Sequence, residues 1–224
     1  MNRLFIILTL CVLFVFLSCS NEKRESTSPK NGNNISPKEK IITQKEKIIV
    51  DCNYSFKEAI AGTNAPKQIL VRLELIDVLY YSTDGKLHKG QILTNKKLVD
   101  DLKTIFNEML DEKFVVAHVI PVAKYNWDDN LSMQDNNTYS FCYRNADFSK
   151  HATGMAIDIN PYFNPVCWKD GYENRINKPV GAKKDTTVNG TFYSSHPVIK
   201  EFRRLGFFWG HNFKAKYDDH HFEK

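Results

Sequence analysis

In the run GMAIDINP, residues 154–161, an aspartate stands inside an apolar stretch, and this placement constrains the fold more than any other feature of the chain. Strand alternation sets Met155, Ile157 and Ile159 on one face and Ala156, Asp158 and Asn160 on the other. An ionised carboxylate so deep in a core has to be paired or bound to a cation, because burying it alone is prohibitively costly. His151 lies one turn upstream. From His151 and Asp158 alone, a salt bridge to Arg or Lys and a metal site explain the pattern equally well.

A third ligand favours the metal, and the chain's last residues, YDDHHFEK, contain it: His220 and His221 follow Asp218 and Asp219. Three protein ligands drawn from His and Asp, with a fourth position left for water, form the arrangement of a catalytic zinc site. The sequence has no HExxH helix, which excludes a thermolysin-type site.

The surrounding pattern is mixed. Runs rich in β-formers at 69–81 and 87–93 flank Asp84-Gly85, so a hairpin is expected. Leu98, Leu102, Ile105, Phe106, Met109 and Leu110 then recur at helical spacing, the core face of an amphipathic helix. FVVAHVIPV reads as a short buried strand, and the polar stretch from Ala123 to Arg144 is too long to be a mere connection. SSHPVIKEFRRLG has a Ser cap, Pro197 in the first turn and Gly206 as terminator, marking a second helix before the strand region FFWGHNF. This order lacks regular βαβ alternation and implies an α+β fold, a small antiparallel sheet with flanking helices.

The N-terminus reads differently. Arg3 precedes a predominantly apolar segment, Leu4–Leu17, of fourteen residues, against the roughly 20 a membrane-spanning helix needs, and small residues and Cys19 follow. This is an export signal, expected over residues 1–18. Its FLSC ending resembles the lipobox of bacterial lipoproteins, with Cys19 as the lipidated residue and acyl chains holding the protein to a membrane. Residues 19–60 are assigned to a flexible tether, rich in Ser, Asn, Lys and Pro between 20 and 47 and too poor in large apolar residues to fold there. Residues 61–224 are left as one catalytic-sized domain.

Charge and cysteine usage narrow the function classes. Residues 21–47 hold seven Lys/Arg and four Asp/Glu; removing their +3 and Arg3 from the chain's +5 leaves +1 for residues 48–224. A nearly neutral domain has no nucleic-acid footprint. Outside the signal stand Cys52, Cys142 and Cys167, an odd number without CxxC spacing, which argues against a structural zinc knuckle and leaves room for one disulfide of unreadable pairing.

The H-x6-D of HATGMAID, followed near the C-terminus by D-x2-H-F in DDHHF, resembles the VanY-like D-alanyl-D-alanine carboxypeptidases and the related L-alanyl-D-glutamate endopeptidases. DDNLSM, NNTYSFCYR, SKHATGMAIDINPYFNP and GFFWGHNF resemble that family's blocks in its order, over roughly residues 69–224. The resemblance implies a hedgehog/DD-peptidase-like fold, a Zn2+ cofactor and peptidoglycan stem peptides as substrate. It implies His151, Asp158 and His221 as zinc ligands, Asp218 as general base, and Arg144 as a contact to substrate or developing oxyanion. Ser149 and His211 are the further substrate-binding candidates.

By the same spacing His220 is not a ligand, and its expected place is beside the site or at the surface. His88, His118 and His196 read as structural or solvated, and Trp127, Trp168 and Trp209 as packing residues rather than substrate platforms. The resulting expectation is a monomeric zinc peptidase of the D-Ala-D-Ala carboxypeptidase type, held by lipid at the bacterial cell envelope. The competing expectations are L-alanyl-D-glutamate endopeptidase activity and a catalytically inactive zinc-containing binding module; the presence of Asp218 argues against the latter.

Overall fold

The computed structural model describes residues 47–146, 149–172 and 174–224. The signal peptide, Cys19 and most of the tether fall outside the described residues. Among the described residues, no helix is long and apolar enough to cross a membrane.

The expected hairpin forms from β2 (Leu73–Tyr81) and β3 (Leu87–Asn95), paired antiparallel from Leu73↔Asn95 to Tyr81↔Leu87. Its turn uses Gly85 at φ +75°, a left-handed conformation that glycine adopts without steric cost. A short strand, β1 (Ile49–Val50), runs parallel to β3 on its free edge. Next comes α1 (Phe56–Ala59), where Ser55 and Glu58 close a capping box and Ala59 is buried. Residues 49–60, assigned to the end of the tether beyond the Ser-, Asn-, Lys- and Pro-rich stretch, carry ordered structure. Composition misses it because the stabilising partner of β1 is β3, nearly 40 positions away in the chain.

After α2 (Lys67–Leu70) and the hairpin, α3 (Val99–Asp111) lays Leu102, Ile105, Phe106 and Met109 into the core, with Asp100 and Asp101 complementing the positive end of its dipole. Each large apolar side chain so buried contributes about 1.5–3 kcal/mol. A second helix, α5 (Pro197–Arg204), buries Val198, Ile199 and Phe202. Its cap is His196 rather than a serine: with Pro197 opening the helix, the preceding residue holds the capping position, and its imidazole accepts from the Val198 N–H. Of the expected strand at 114–122, only β4 (His118–Val119) forms a strand, parallel to β5 (Asn137–Thr138), while Val115 is joined to Tyr81 by an isolated bridge.

The C-terminal half forms a second sheet from β6 (Ala156–Asp158), β8 (Phe208–Trp209) and β10 (His221–Glu223), in the antiparallel order β6-β10-β8. Beside it, β7 (Val166–Trp168) pairs antiparallel with β9 (Lys216–Asp218). Phe222, central in the β6-β10-β8 sheet, stacks on Phe202 of α5 with ring centroids 3.8 Å apart, and one apolar cluster joins this sheet, both long helices and the hairpin. The fold is α+β, as expected, with the antiparallel sheet kept small. The three cysteines 52, 142 and 167 are free thiols, so the disulfide left open by the sequence does not form.

Candidate active site

His151, Asp158 and His221 come together because two strands and one tight turn align. Asp158 and His221 are direct partners in the β6–β10 register, so both side chains rise from the same face of the sheet. His151 sits in the 3-10 turn Lys150–Thr153, which ends at Gly154 with φ +69°. A side chain at Gly154 would meet the Asn95 backbone at 2.8 Å, and the Gly154 carbonyl accepts from the Asn95 N–H, so the turn is seated directly on β3. Only glycine fits both demands.

All three residues are buried, and one ligand atom from each lies within 4.8 Å of the others. The His151 Nδ1–H donates to the Ser140 carbonyl at 2.7 Å, which turns the Nε2 lone pair toward Asp158 Oδ1, 3.0 Å away, and His221 Nδ1, 3.1 Å away. On the other imidazole, Nε2–H donates to Glu223 Oε2 at 2.9 Å, and Nδ1 faces Asp158 Oδ1 at 2.9 Å. Two nitrogen lone pairs and a carboxylate oxygen therefore converge on one buried point. Such a set requires a positive charge at its centre, either a proton or a metal ion, and each histidine is held in the tautomer a metal demands by a partner on its other nitrogen.

Electrostatics carry the same message. Burial would disfavour the His221 imidazolium, but hydrogen bonds to Asp158 and Glu223 outweigh it and raise this group to about 10. Burial likewise opposes ionisation of Asp158, yet the charges of His151 and His220 and the hydrogen bonds from His151 and His221 hold its carboxyl well below the usual range. A metal ion entering the site displaces a proton, so its affinity falls as pH falls. The donor set, two imidazoles and one carboxylate, fits zinc.

Asp218 ends β9, and the turn at Asp219-His220 reverses the chain into β10. That reversal resolves a conflict in the sequence, where residues three apart on one strand would face opposite ways. Lys216 Nζ donates to Asp218 Oδ2 at 2.6 Å, whereas Oδ1 is buried without a hydrogen bond, 3.0 Å from His220 Nε2. Burial pushes the Asp218 carboxyl upward, but the charges of His220, His221 and Lys216 prevail and keep it low. It is a carboxylate at neutral pH with one oxygen uncommitted, the state a general base requires. His220 is buried against the Asn164 carbonyl, 2.7 Å from its Nδ1, and lies beside Asp218 rather than in the ligand set.

These groups line a cleft of about 520 Å3 that also includes Arg144, Ser149 and Trp168. Arg144 Nη1 donates to Asp129 Oδ2 at 3.0 Å, and its Nε is buried without a partner, leaving donors available for a ligand. Trp168, expected as packing, forms part of the cleft wall, with the Arg175 guanidinium 4.6 Å from its ring. His211 departs from expectation: it is not among the cleft residues. Its Nδ1 is held by Asp219 Oδ1 at 2.5 Å and its ring stacks on Trp209, so a salt bridge and an aromatic face turn it into a fold contact. A more open groove of about 720 Å3, beside Tyr54, Phe56 and Leu70, contains none of the ligand candidates.

Several site residues were not singled out from the sequence. Glu223, which orients His221, lies two residues along the same strand, where period-two alternation puts both on one face. Tyr139 and Lys216 had no comparable signal, since their roles depend on contacts between separate elements, whereas Asp129, with Asp128, was a loop acid within expected reach of Arg144. The long polar stretch before Arg144 is structured, containing α4 (Asp129–Gln134) and β5, and brings Asp129, Tyr139 and Arg144 to the cleft.

Residues 143–224 match the family model described as D-alanyl-D-alanine carboxypeptidase. The match begins well inside the span of the sequence resemblance, yet it takes in every ligand candidate. No curated protein and no solved structure matches the chain significantly. The hedgehog-like fold that the family implies agrees with the α+β architecture. Residues 143–224, the segment bearing Arg144, His151, Asp158, Asp218 and His221, are therefore the part of the chain that is similar to the D-alanyl-D-alanine carboxypeptidase family of VanY-like peptidases.

Proposed function

We propose that this protein is a zinc-dependent peptidase that hydrolyses peptidoglycan stem peptides, of the D-Ala-D-Ala carboxypeptidase type. The observation carrying this reading is the convergence of His151 Nε2, Asp158 Oδ1 and His221 Nδ1 on one point of a cleft whose wall includes a buried, ionised Asp218. When bound, zinc supplies Lewis-acid polarisation of the scissile carbonyl and lowers the pKa of a bound water toward about 7.

The protein's own groups do the rest. Asp218, through its uncommitted Oδ1, takes the proton of the attacking water and returns it to the leaving amine, while Lys216 and His220 favour the ionised resting form. Arg144, with Nη1 held by Asp129 and Nε buried, presents the remainder of its guanidinium fork to a substrate carboxylate or developing oxyanion. Ser149 lines the same wall.

The bond cut is decided by purified muropeptides and mass spectrometry. A carboxypeptidase must hold the free terminal carboxylate, for which a guanidinium is the best-shaped group. Amidation of the terminal D-Ala is expected to lower kcat/KM steeply, and Arg144→Lys to lose most of that discrimination. Efficient cleavage of the amidated peptide, leaving L-Ala at the new C-terminus, would establish the L-alanyl-D-glutamate endopeptidase instead.

The proposed location is the cell envelope, with Cys19 lipidated and residues beyond it serving as tether. Cys19→Ala is expected to release the protein from membranes with catalytic constants unchanged. Native protein recovered without lipid, free of the membrane fraction, overturns the anchor.

A further inference from the structure

Asp158 uses its two oxygens differently. Oδ1 faces both ligand nitrogens, whereas Oδ2 lies 2.9 Å from the Tyr139 hydroxyl, whose single proton it shares with Asp129 Oδ1. Tyr139 is 2% exposed, and its backbone is bridged to that of Asp158 in both directions: Tyr139 N–H to Asp158 O at 3.1 Å, and Asp158 N–H to Tyr139 O at 2.9 Å. Phenol and carboxylate are thus fixed opposite each other by main-chain bonds that side-chain motion does not disturb. The same hydroxyl touches Asp129 Oδ1, and Asp129 Oδ2 holds the Arg144 guanidinium. One continuous line of contacts runs from the metal-site carboxylate to the arginine of the substrate cleft: Asp158, Tyr139, Asp129, Arg144.

We propose that Tyr139 is a positioning residue that restrains Asp158 to ligation through a single oxygen and, through Asp129, sets Arg144 at a fixed place relative to the metal site. The proposal rests on the zinc reading of the site. Carboxylates bind cations through one oxygen or two, and a catalytic zinc site must keep a position open for water and substrate. With Oδ2 occupied by a phenol, protonated at neutral pH, Asp158 presents Oδ1 alone. Without the hydroxyl, nothing on the Tyr139 side keeps Oδ2 from closing onto the cation and filling the position that the substrate requires. The other near neighbour of Oδ2, His220 Nε2, stands 3.7 Å away, beyond hydrogen-bonding distance. Asp129 does for the arginine what the phenol does for the carboxylate: a long, half-exposed side chain gains one preferred position from an ionic partner that is itself tied down.

The test is Tyr139→Phe in the full chain, which keeps the buried ring and removes only the oxygen. Zinc affinity is measured by chelator competition, and the Co2+-substituted protein is compared by visible absorption, whose intensity falls as coordination number rises. Loss of a partner that orients a metal ligand typically costs 10–100-fold in affinity, and that loss, with a weakened Co2+ spectrum, is expected. Unchanged affinity and spectrum in a folded Tyr139→Phe overturn the proposal while leaving the zinc reading intact. Wild-type protein that takes up neither Zn2+ nor Co2+ overturns both.

A second variant addresses the other half of the line and does not depend on the first one folding. Asp129→Asn is expected to bind zinc as the wild type does, with an unaltered Co2+ spectrum, but to raise KM for the stem peptide about tenfold, the scale of one lost charge-assisted contact. A merely structural role for Asp129 would lower thermal stability without this split. KM equal to wild type overturns the link to Arg144.

Discussion

His151→Ala, Asp158→Ala and His221→Ala are each expected to yield protein that loses zinc to a chelator and no longer cleaves stem peptides, with the wild type expected to retain one zinc per chain. Two remaining protein ligands make a poor zinc site. The consequences differ in detail. In Asp158→Ala, two imidazole nitrogens 3.1 Å apart lose the carboxylate that faces both, so zinc must be held against their mutual repulsion. In His151→Ala, the Ser140 carbonyl loses its donor inside the core, which adds about 1–3 kcal/mol of instability to the loss of metal. Metal content after dialysis, measured beside a melting curve, separates the two effects. Full zinc occupancy in His221→Ala would transfer the ligand role to His220.

Asp218→Asn is expected to give the opposite split, with zinc retained and hydrolysis reduced by about 10²–10⁴, the usual worth of a general acid-base. That range corresponds to about 2.7–5.4 kcal/mol of transition-state stabilisation. Asparagine preserves the shape and can still accept from Lys216, so the fold and the neighbouring ligand strand β10 stay in place. In the wild type, the acid limb of the pH-rate profile is expected to include protonation of Asp218. Because His220, His221 and Lys216 hold that carboxyl below its ordinary value, activity persists to lower pH than an unperturbed aspartate would allow. The variant lacks this limb. Asp219 is no substitute: its carboxylate is bound by Lys184 at 2.6 Å and His211 at 2.5 Å, and it is not among the cleft residues. Undiminished hydrolysis by Asp218→Asn would reassign the base.

How much of this was legible beforehand varies with the range of the interaction. The hairpin around Asp84-Gly85 and the face of α3 were read from periods of 2 and 3.6, because those elements bury what their own sequence alternates. The capping residue of α5 was misassigned by one or two positions, since Ser194, Ser195 and His196 can all accept a backbone N–H and only the position of Pro197 selects among them. His211 was misplaced for a similar reason. Its neighbourhood, WGHNF, offered no sign that Asp219, eight residues on, would capture the ring. Residues 49–60 were misjudged because β1 is stabilised by an edge of β3 that no local window contains.

The sequence by itself narrowed the candidate donors. An aspartate in an apolar strand, a histidine seven residues before it and a histidine near the C-terminus leave few chemistries, because a buried charge has to be compensated. What only the tertiary structure decided is where each donor atom points and what holds it there: the Asp158↔His221 register, the Ser140 carbonyl on His151, Glu223 on His221, and the line through Tyr139 and Asp129 to Arg144. Those contacts join residues up to 70 positions apart, and hydrogen-bond direction depends on backbone placement to within a few tenths of an ångström. Residue type can specify which atoms are able to bind a metal. Only the packing of the second sheet against the hairpin and helices fixes them around one point.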